Sequence, residues 1–205
     1  LGSVLYFGPL LRVSSVEAVG LQNLKDSDIL KVASLEGRSI LAINTNEVKG
    51  QIEGLPWVKE ATVKRSFPHS VVIMVVEREP IALWKVGGTM SLVDQEGVIL
   101  GPTSGARDLP VIIQQLDGKV LKPGDKVSAD AVNLAIRLRE TLPNIMGLKA
   151  KGFEYLTYGG LVVETDQGWR ARFGDSENFD AKLAIRKAIL PKAQATCLKG
   201  SHTDL

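Results

Sequence analysis

The spacing of apolar positions changes period several times along the chain, and each change marks an element. Val13, Val16 and Val19 lie in a β-branched segment that stops at Gly20, which predicts a strand running into a turn. From Asp26 the period becomes helical. Ile29, Leu30, Val32 and Ala33 form an apolar face, Asp26 and Ser27 are candidate caps, and Gly37 after Leu35 supplies a left-handed stop. In the next helix Asn44 and Glu47 have the spacing of a capping box, Val48, Ile52 and Leu55 recur along one face, and Gly54 with Pro56 ends the segment. Alternation at Ala61 and Val63, a Phe67-Pro68-His69-Ser70 turn and the apolar run 71–76 then predict a hairpin. The order β-α-α-β-β implies a small sheet with two helices on one face.

After Pro80 the pattern is mostly extended. Short strands are predicted at 82–86 and 89–93 around Gly87-Gly88, followed by a turn at 94–97 and a strand at 98–100. Residues 101–127 are rich in loop formers, with one strand at 111–113. Ser128 caps a helix whose Ala131, Leu134, Ala135, Leu138 and Leu142 form one stripe, and Pro143 is expected to end it. Three strands follow, at 148–156, 161–165 and 169–173, as consecutive antiparallel hairpins. A last helix is predicted over 179–190, limited by Pro191. The fold class is therefore α+β: a β-α-α-β-β unit, then a mainly antiparallel β domain with flanking helices, divided near Pro80.

Composition narrows the chemistry. The 205 residues are 44% hydrophobic and 23% charged, enough to bury a core. Lys and Arg total 25 against 23 Asp and Glu, so the net charge of +2 provides no large field for nucleic acid. Charges within 13–79 nearly balance, which suits protein contacts better than polyanions. Arg170 and Arg172 alternate with Trp169, Ala171 and Phe173, but two arginines fit a solvated strand face rather than a nucleic-acid track. The lone Cys197, with only His69 and His202 as imidazoles, leaves no disulfide framework and no cysteine- or histidine-rich metal site. Asp94 and Glu96 fall in a turn, where nearby carboxylates shape backbone. No catalytic residue, cofactor or small-molecule substrate is expected. The first eleven residues carry no charge and are too short to cross a bilayer, which takes roughly 20 residues. They read as a buried strand, a disordered end or the outer end of a membrane anchor. Tyr6 and Phe7 suit the last of these.

A run of residues adds a resemblance to this pattern. Leu55-Pro56-Trp57-Val58, then Val63, Arg65 and Pro68, then Glu77, Pro80, Ala82 and Trp84 resemble the POTRA domain and following junction of the FtsQ/DivIB family of bacterial cell-division proteins. Val19-Gly20, Ile29, Gly37 and Ile43 fit the same pattern. So do Leu161-Val162-Val163, Gly168, Phe173-Gly174 and Lys182-Leu183, with Phe173 in place of the more usual leucine. Asp204-Leu205 matches the start of the family's late Asp-Leu-Arg motif, whose arginine is missing.

The resemblance implies an anchor end or linker at 1–11, a POTRA domain at 12–79 and an FtsQ/DivIB-type β domain at 80–205, cut short at its C-terminus. It also implies a non-enzymatic divisome scaffold, single-pass in the bacterial cytoplasmic membrane with this region outside the cytoplasm at the septum. FtsB/DivIC and FtsL-type proteins would be its partners, and it would recruit and regulate septal peptidoglycan synthesis. The expected docking mode is strand addition at Ser201, His202, Thr203, Asp204 and Leu205, with Tyr158 and Gly159 on the same surface. Glu77 is the acidic candidate for recruitment or interdomain contact, with Arg78 or Lys85 as possible ion-pair partners. The alternative is a POTRA module of an outer-membrane assembly or secretion system, which would bring several such units and a barrel's alternating strands.

Overall fold

The computed structural model describes residues 11–105, 108–115 and 120–200, with side chains described through residue 189. The chain divides into two compact units, Leu1–Glu79 and Pro80–Leu205.

The first unit runs β1 (Ser15–Val19), α1 (Asp26–Ala33), a short 3-10 turn (Ile40–Ala42), α2 (Thr45–Glu53), β2 (Val58–Ser66) and β3 (Ser70–Glu77). Its three strands lie in the order β1-β3-β2, with β1 parallel and β2 antiparallel to the central β3. Alternation along β3 sends Val71, Ile73 and Val75 into a core shared with Ile29 and Ala33 of α1 and Val48 and Ile52 of α2. Each of these valine and isoleucine side chains stabilises the unit by roughly 1.5–3 kcal/mol relative to leaving it in water.

The capping box at Asn44 forms its forward half, since the side chain accepts from the amides of Asn46 and Glu47. The first helix differs from expectation at both ends. Lys25 sits at its N-cap without a side-chain bond, so Asp26 and Ser27 do not cap it. At its C-terminus the left-handed residue is Ser34 (φ 45°), not Gly37. Leu35 is fully buried, and the chain must leave the helix at Ser34 to turn that side chain inward. Gly37 (φ 74°) serves the next turn, where its amide donates to the carbonyl of Val13.

The second unit contains β4 (Ala82–Val86), β5 (Thr89–Val93), β6 (Ile99–Pro102), β7 (Val111–Gln114), α3 (Ala129–Met146), β8 (Ala150–Leu156), β9 (Gly160–Thr165), β10 (Arg170–Gly174) and α4 (Phe179–Gly200). The strands form one sheet in the order β10-β9-β8-β7-β4-β5-β6. β7 pairs in parallel with both β4 and β8, and the remaining neighbours are antiparallel. The parallel β7–β8 pair follows from α3, which supplies the crossover that such a pair requires. One sheet face, with Trp84, Ile112, Phe153, Val163 and Phe173, packs against Leu134, Leu138 and Leu142 of α3 and Leu183 of α4.

Neither Pro143 nor Pro191 ends its helix. α3 continues to Met146 and closes at left-handed Gly147 (φ 65°), whose amide donates to the Pro143 carbonyl, and α4 extends to Gly200. A proline removes one intrahelical hydrogen bond, but its fixed φ is itself helical. In α3 buried Leu142 on one side and buried Leu148 on the other hold the last turn in place.

Among the described residues no helix is long and apolar enough to cross a membrane.

Candidate protein-interaction surface

The two margins of the seven-stranded sheet are treated differently. At the β6 margin, the Ile99 amide donates to the Asp125 carbonyl (2.8 Å) and the Ile99 carbonyl accepts from the Gly124 amide (2.7 Å), so the loop leading into α3 closes that side. At the other margin β10 pairs, among the described residues, with β9 alone. Thr165 donates its amide to the Trp169 carbonyl, and Trp169 and Thr165 therefore face each other as bonded partners. Alternation makes Ala171 and Val163 the next bonded pair. The amides and carbonyls of Arg170 and Arg172 consequently point away from the sheet.

Helix α4 closes part of this margin. Arg186 donates to the Arg172 carbonyl, and its guanidinium lies 4.3 Å from the centre of the Phe173 ring. Burial lowers the Arg186 pKa from its ordinary value. The helix is held there by a series of ties. Arg137 of α3 bonds Asp180 (3.0 Å) and lies over the Phe179 ring (3.9 Å), while Asp130 accepts from the amide and hydroxyl of Ser176. Lys182 bonds Asp175 at 2.7 Å.

The helix-free face beside the margin carries charged side chains over a partly apolar floor. Arg170 pairs with Glu154 (2.5 Å) and Lys151 with Glu164 (3.5 Å), flanking Ile113 and Val162. This is the solvated face expected for Arg170 and Arg172, because Ala171 and Phe173 turn inward. Arg172 has no ion pair among the described residues. Its guanidinium carbon lies 3.4 Å from where a Cβ on Gly159 would be. Tyr158, at the tip of the β8–β9 hairpin, is fully exposed. A shallow depression lined by Tyr155, Tyr158, Gly159 and Arg172 joins the hairpin tip to β10. Two of the sequence-derived candidates, Tyr158 and Gly159, thus meet β10. The other five, Ser201 to Leu205, lie outside the described residues.

Glu77 takes a different part from either ion pair considered for it. Its carboxylate accepts from the amides of Gln22 (2.8 Å), Asn23 (2.9 Å) and Leu24 (3.0 Å) and from Asn23 Nδ2 (2.9 Å). Burial raises its pKa, but the bonds from Leu24, Gln22 and Asn23 outweigh that and hold it below the ordinary carboxylate value. The carboxylate fastens the loop that leads into α1, in place of the missing N-cap side chain. In the second unit Asp94 also shapes backbone, accepting from the amides of Glu96 (3.0 Å) and Val98 (2.7 Å). Among the described residues no three His, Cys, Asp or Glu side chains converge to hold a metal.

Sequence alternation located Arg172 on an outer strand face. It carried no sign that Arg186, fourteen positions away, would bind the strand's carbonyl.

The resulting class of protein is a small β-α-α-β-β unit joined to a mixed sheet whose β10 margin has, among the described residues, no further strand beside it, an architecture suited to binding another chain. Comparison with known sequences defines it further. Residues 11–78 match the FtsQ-type POTRA domain, and residues 82–204 match the C-terminal domain of cell division protein FtsQ/DivIB. The chain is 32% identical over 186 residues to a cell division protein FtsQ of Chloroflexus aurantiacus, covering 90% of this chain and 68% of that one. It is 32% identical over 195 residues to the FtsQ of Corynebacterium glutamicum, covering 94% and 84%, and 37% identical over 87 residues to that of Rickettsia bellii, covering 42% and 33%. The chain belongs to the FtsQ/DivIB family of cell-division proteins. These relatives are named as division proteins rather than enzymes, and the FtsQ-type match favours this family over an outer-membrane assembly module.

Proposed function

We propose that the protein is a divisome scaffold, anchored in the cytoplasmic membrane with both units outside the cytoplasm at the septum, and that its second unit docks FtsB/DivIC and FtsL-type proteins. Through them it recruits and regulates septal peptidoglycan synthesis. The observation that carries this reading is the β10 margin, where the outward amide and carbonyl of Arg170 and the outward amide of Arg172 offer a template for strand pairing beside the part that α4 closes. Tyr158 and Arg172, with the backbone of Gly159 between them, supply selectivity beside it, and Ser201, His202, Thr203, Asp204 and Leu205, outside the described residues, are further candidates for contact with the same partner.

Binding of a purified FtsB/DivIC-type extracytoplasmic segment tests this. Arg172→Pro removes an outward amide that β9 does not use, so the sheet should persist while partner affinity falls at least tenfold. A second variant places Pro at Thr203. Unchanged affinity in both variants, with the far-ultraviolet circular dichroism of the parent, would exclude strand addition at this margin.

A further inference from the structure

The near-neutral charge of the first unit conceals a division along its length. Residues 11–14, the turn region 34–43 and the β2–β3 hairpin tip at 64–70 meet at one end. The backbone bonds that gather them are Val13 to Arg38 (2.9 Å), Ile40 to Leu11 (2.8 Å) and Ser14 to His69 (2.9 Å). Arg65 adds a bond to the Ile43 carbonyl at 2.5 Å. These segments contribute Arg12, Arg38, Lys64 and Arg65, against the carboxylate of Glu36, with Glu17 on β1 and Glu47 in the first turn of α2 adjoining them. None of the four cations forms an ion pair among the described residues, although Arg12 donates to the Gly37 carbonyl at 3.1 Å. Two large apolar side chains project from the same end, Leu41 at 60% exposure and Phe67 at 59%.

The opposite end has the reverse character. Asp26, Asp28, Glu53, Glu60, Glu77 and Glu79 lie toward it, with Lys25, Lys59 and Arg78. The eight residues of β3 separate the two ends by about 26 Å. The chain comes into the basic end directly from the uncharged residues 1–11 and leaves by the acidic end at Glu79.

We propose that the basic end of the first unit, with Arg12, Arg38, Lys64 and Arg65 around exposed Phe67 and Leu41, docks on an anionic phospholipid surface. Unpaired cations around exposed aromatic and aliphatic side chains are the complement of a headgroup layer. Cations engage lipid phosphates, and a Phe ring and a Leu side chain enter the acyl boundary. Arginine forks suit phosphate oxygens, and each cation adds attraction that salt screens. The inference rests on the reading of residues 1–11 as the outer end of a membrane anchor, which would hold this end against the bilayer. Docking would fix the angle at which the first unit leaves the membrane.

The test tethers the 205-residue chain by an N-terminal hexahistidine tag to nickel-chelating lipid, in phosphatidylcholine vesicles with or without phosphatidylglycerol. Ser66→Cys in a Cys197→Ser background carries an environment-sensitive dye, and brominated lipids act as quenchers. Quenching at residue 66 is expected with phosphatidylglycerol and not with phosphatidylcholine alone, and it should be lost at high salt. A dye on Glu60→Cys should remain unquenched. Replacing Arg12, Arg38 and Lys64 together by Gln should lower the ratio of docked to undocked protein roughly a hundredfold. Equal quenching in both vesicle types, equal quenching at residues 66 and 60, or none at residue 66 would overturn the proposal. So would quenching that persists in a folded triple variant. Flotation of the untagged chain with phosphatidylcholine vesicles separately tests the anchor reading, because the tethered arm does not depend on residues 1–11.

Discussion

At the scale of single residues, Glu77 shows how a side chain matched to a family pattern can act through architecture. Its carboxylate gathers three consecutive amides and one side-chain amide, at a helix start that lacks its own cap. Charge-assisted bonds of this kind are stronger than neutral ones. Glu77→Gln should therefore destabilise the first unit by about 1–2 kcal/mol at neutral pH, after allowance for solvent screening. The pH dependence has a definite sign. The folded-state pKa lies below the unfolded one, so the carboxylate's contribution is full above the unfolded value and is lost as pH falls through the folded value. The stability gap between parent and variant, measured by urea unfolding, should be largest at neutral pH and shrink below about pH 4. A gap that stayed constant to pH 3 would assign the effect to packing. Gly160 is another residue set by its surroundings. It has φ 69°, and a Cβ there would collide with the Gly174 carbonyl, so this glycine permits the close β9–β10 approach.

At the scale of elements, α4 depends on contacts that its own sequence does not advertise. Its first turns are held through Arg137 to Asp180 and Phe179, through Asp130 to Ser176, and through Arg186 on the β10 margin. Arg137→Ala removes an ion pair and a cation–π contact at once. The change should raise hydrogen exchange across residues 179–186 about tenfold while leaving β8 and β9 protected. Uniform acceleration over the second unit would mean that α4 and the sheet open together. The helices also show where punctuation misleads. Pro143 and Pro191 read as stops because proline deletes a hydrogen bond, yet both are accommodated within helices whose turns continue beyond them. Gly37 read as the stop of α1 because glycine favours left-handed backbone, but burial of Leu35 moved that conformation to Ser34.

At the scale of the whole molecule, each unit has its own core, one centred on Ile73 and Ile52 and the other on Trp84, Phe153 and Leu138. Ile73 is wholly buried in the central strand of the first unit, and its truncation to Ala should cost about 2–4 kcal/mol. The loss should appear first as reduced amide protection within residues 13–77. Simultaneous loss of protection in β4–β10 would show that the two cores unfold as one.

Much of this organisation was legible in the chain. The strand and helix order followed from period changes, the Asn44 cap from local chemistry, and the family from Leu55-Pro56-Trp57 through Trp84 together with the later glycine positions. Local patterns carry such features because each depends on residues a few positions apart. Sequence alone therefore determined the two kinds of unit, their element order and the membership of the chain in a cell-division family. Tertiary structure decided which strand margin lacks a further strand among the described residues, that Arg186 binds the β10 carbonyl, that Glu77 fastens residues 22–24, and that four cations remote in sequence gather at one end of the first unit. The reason is distance along the chain. Arg12, Arg38 and Arg65 are remote in sequence, and only the pairing of β1 with β3 and of residues 11–13 with 37–40 brings their charges to one end.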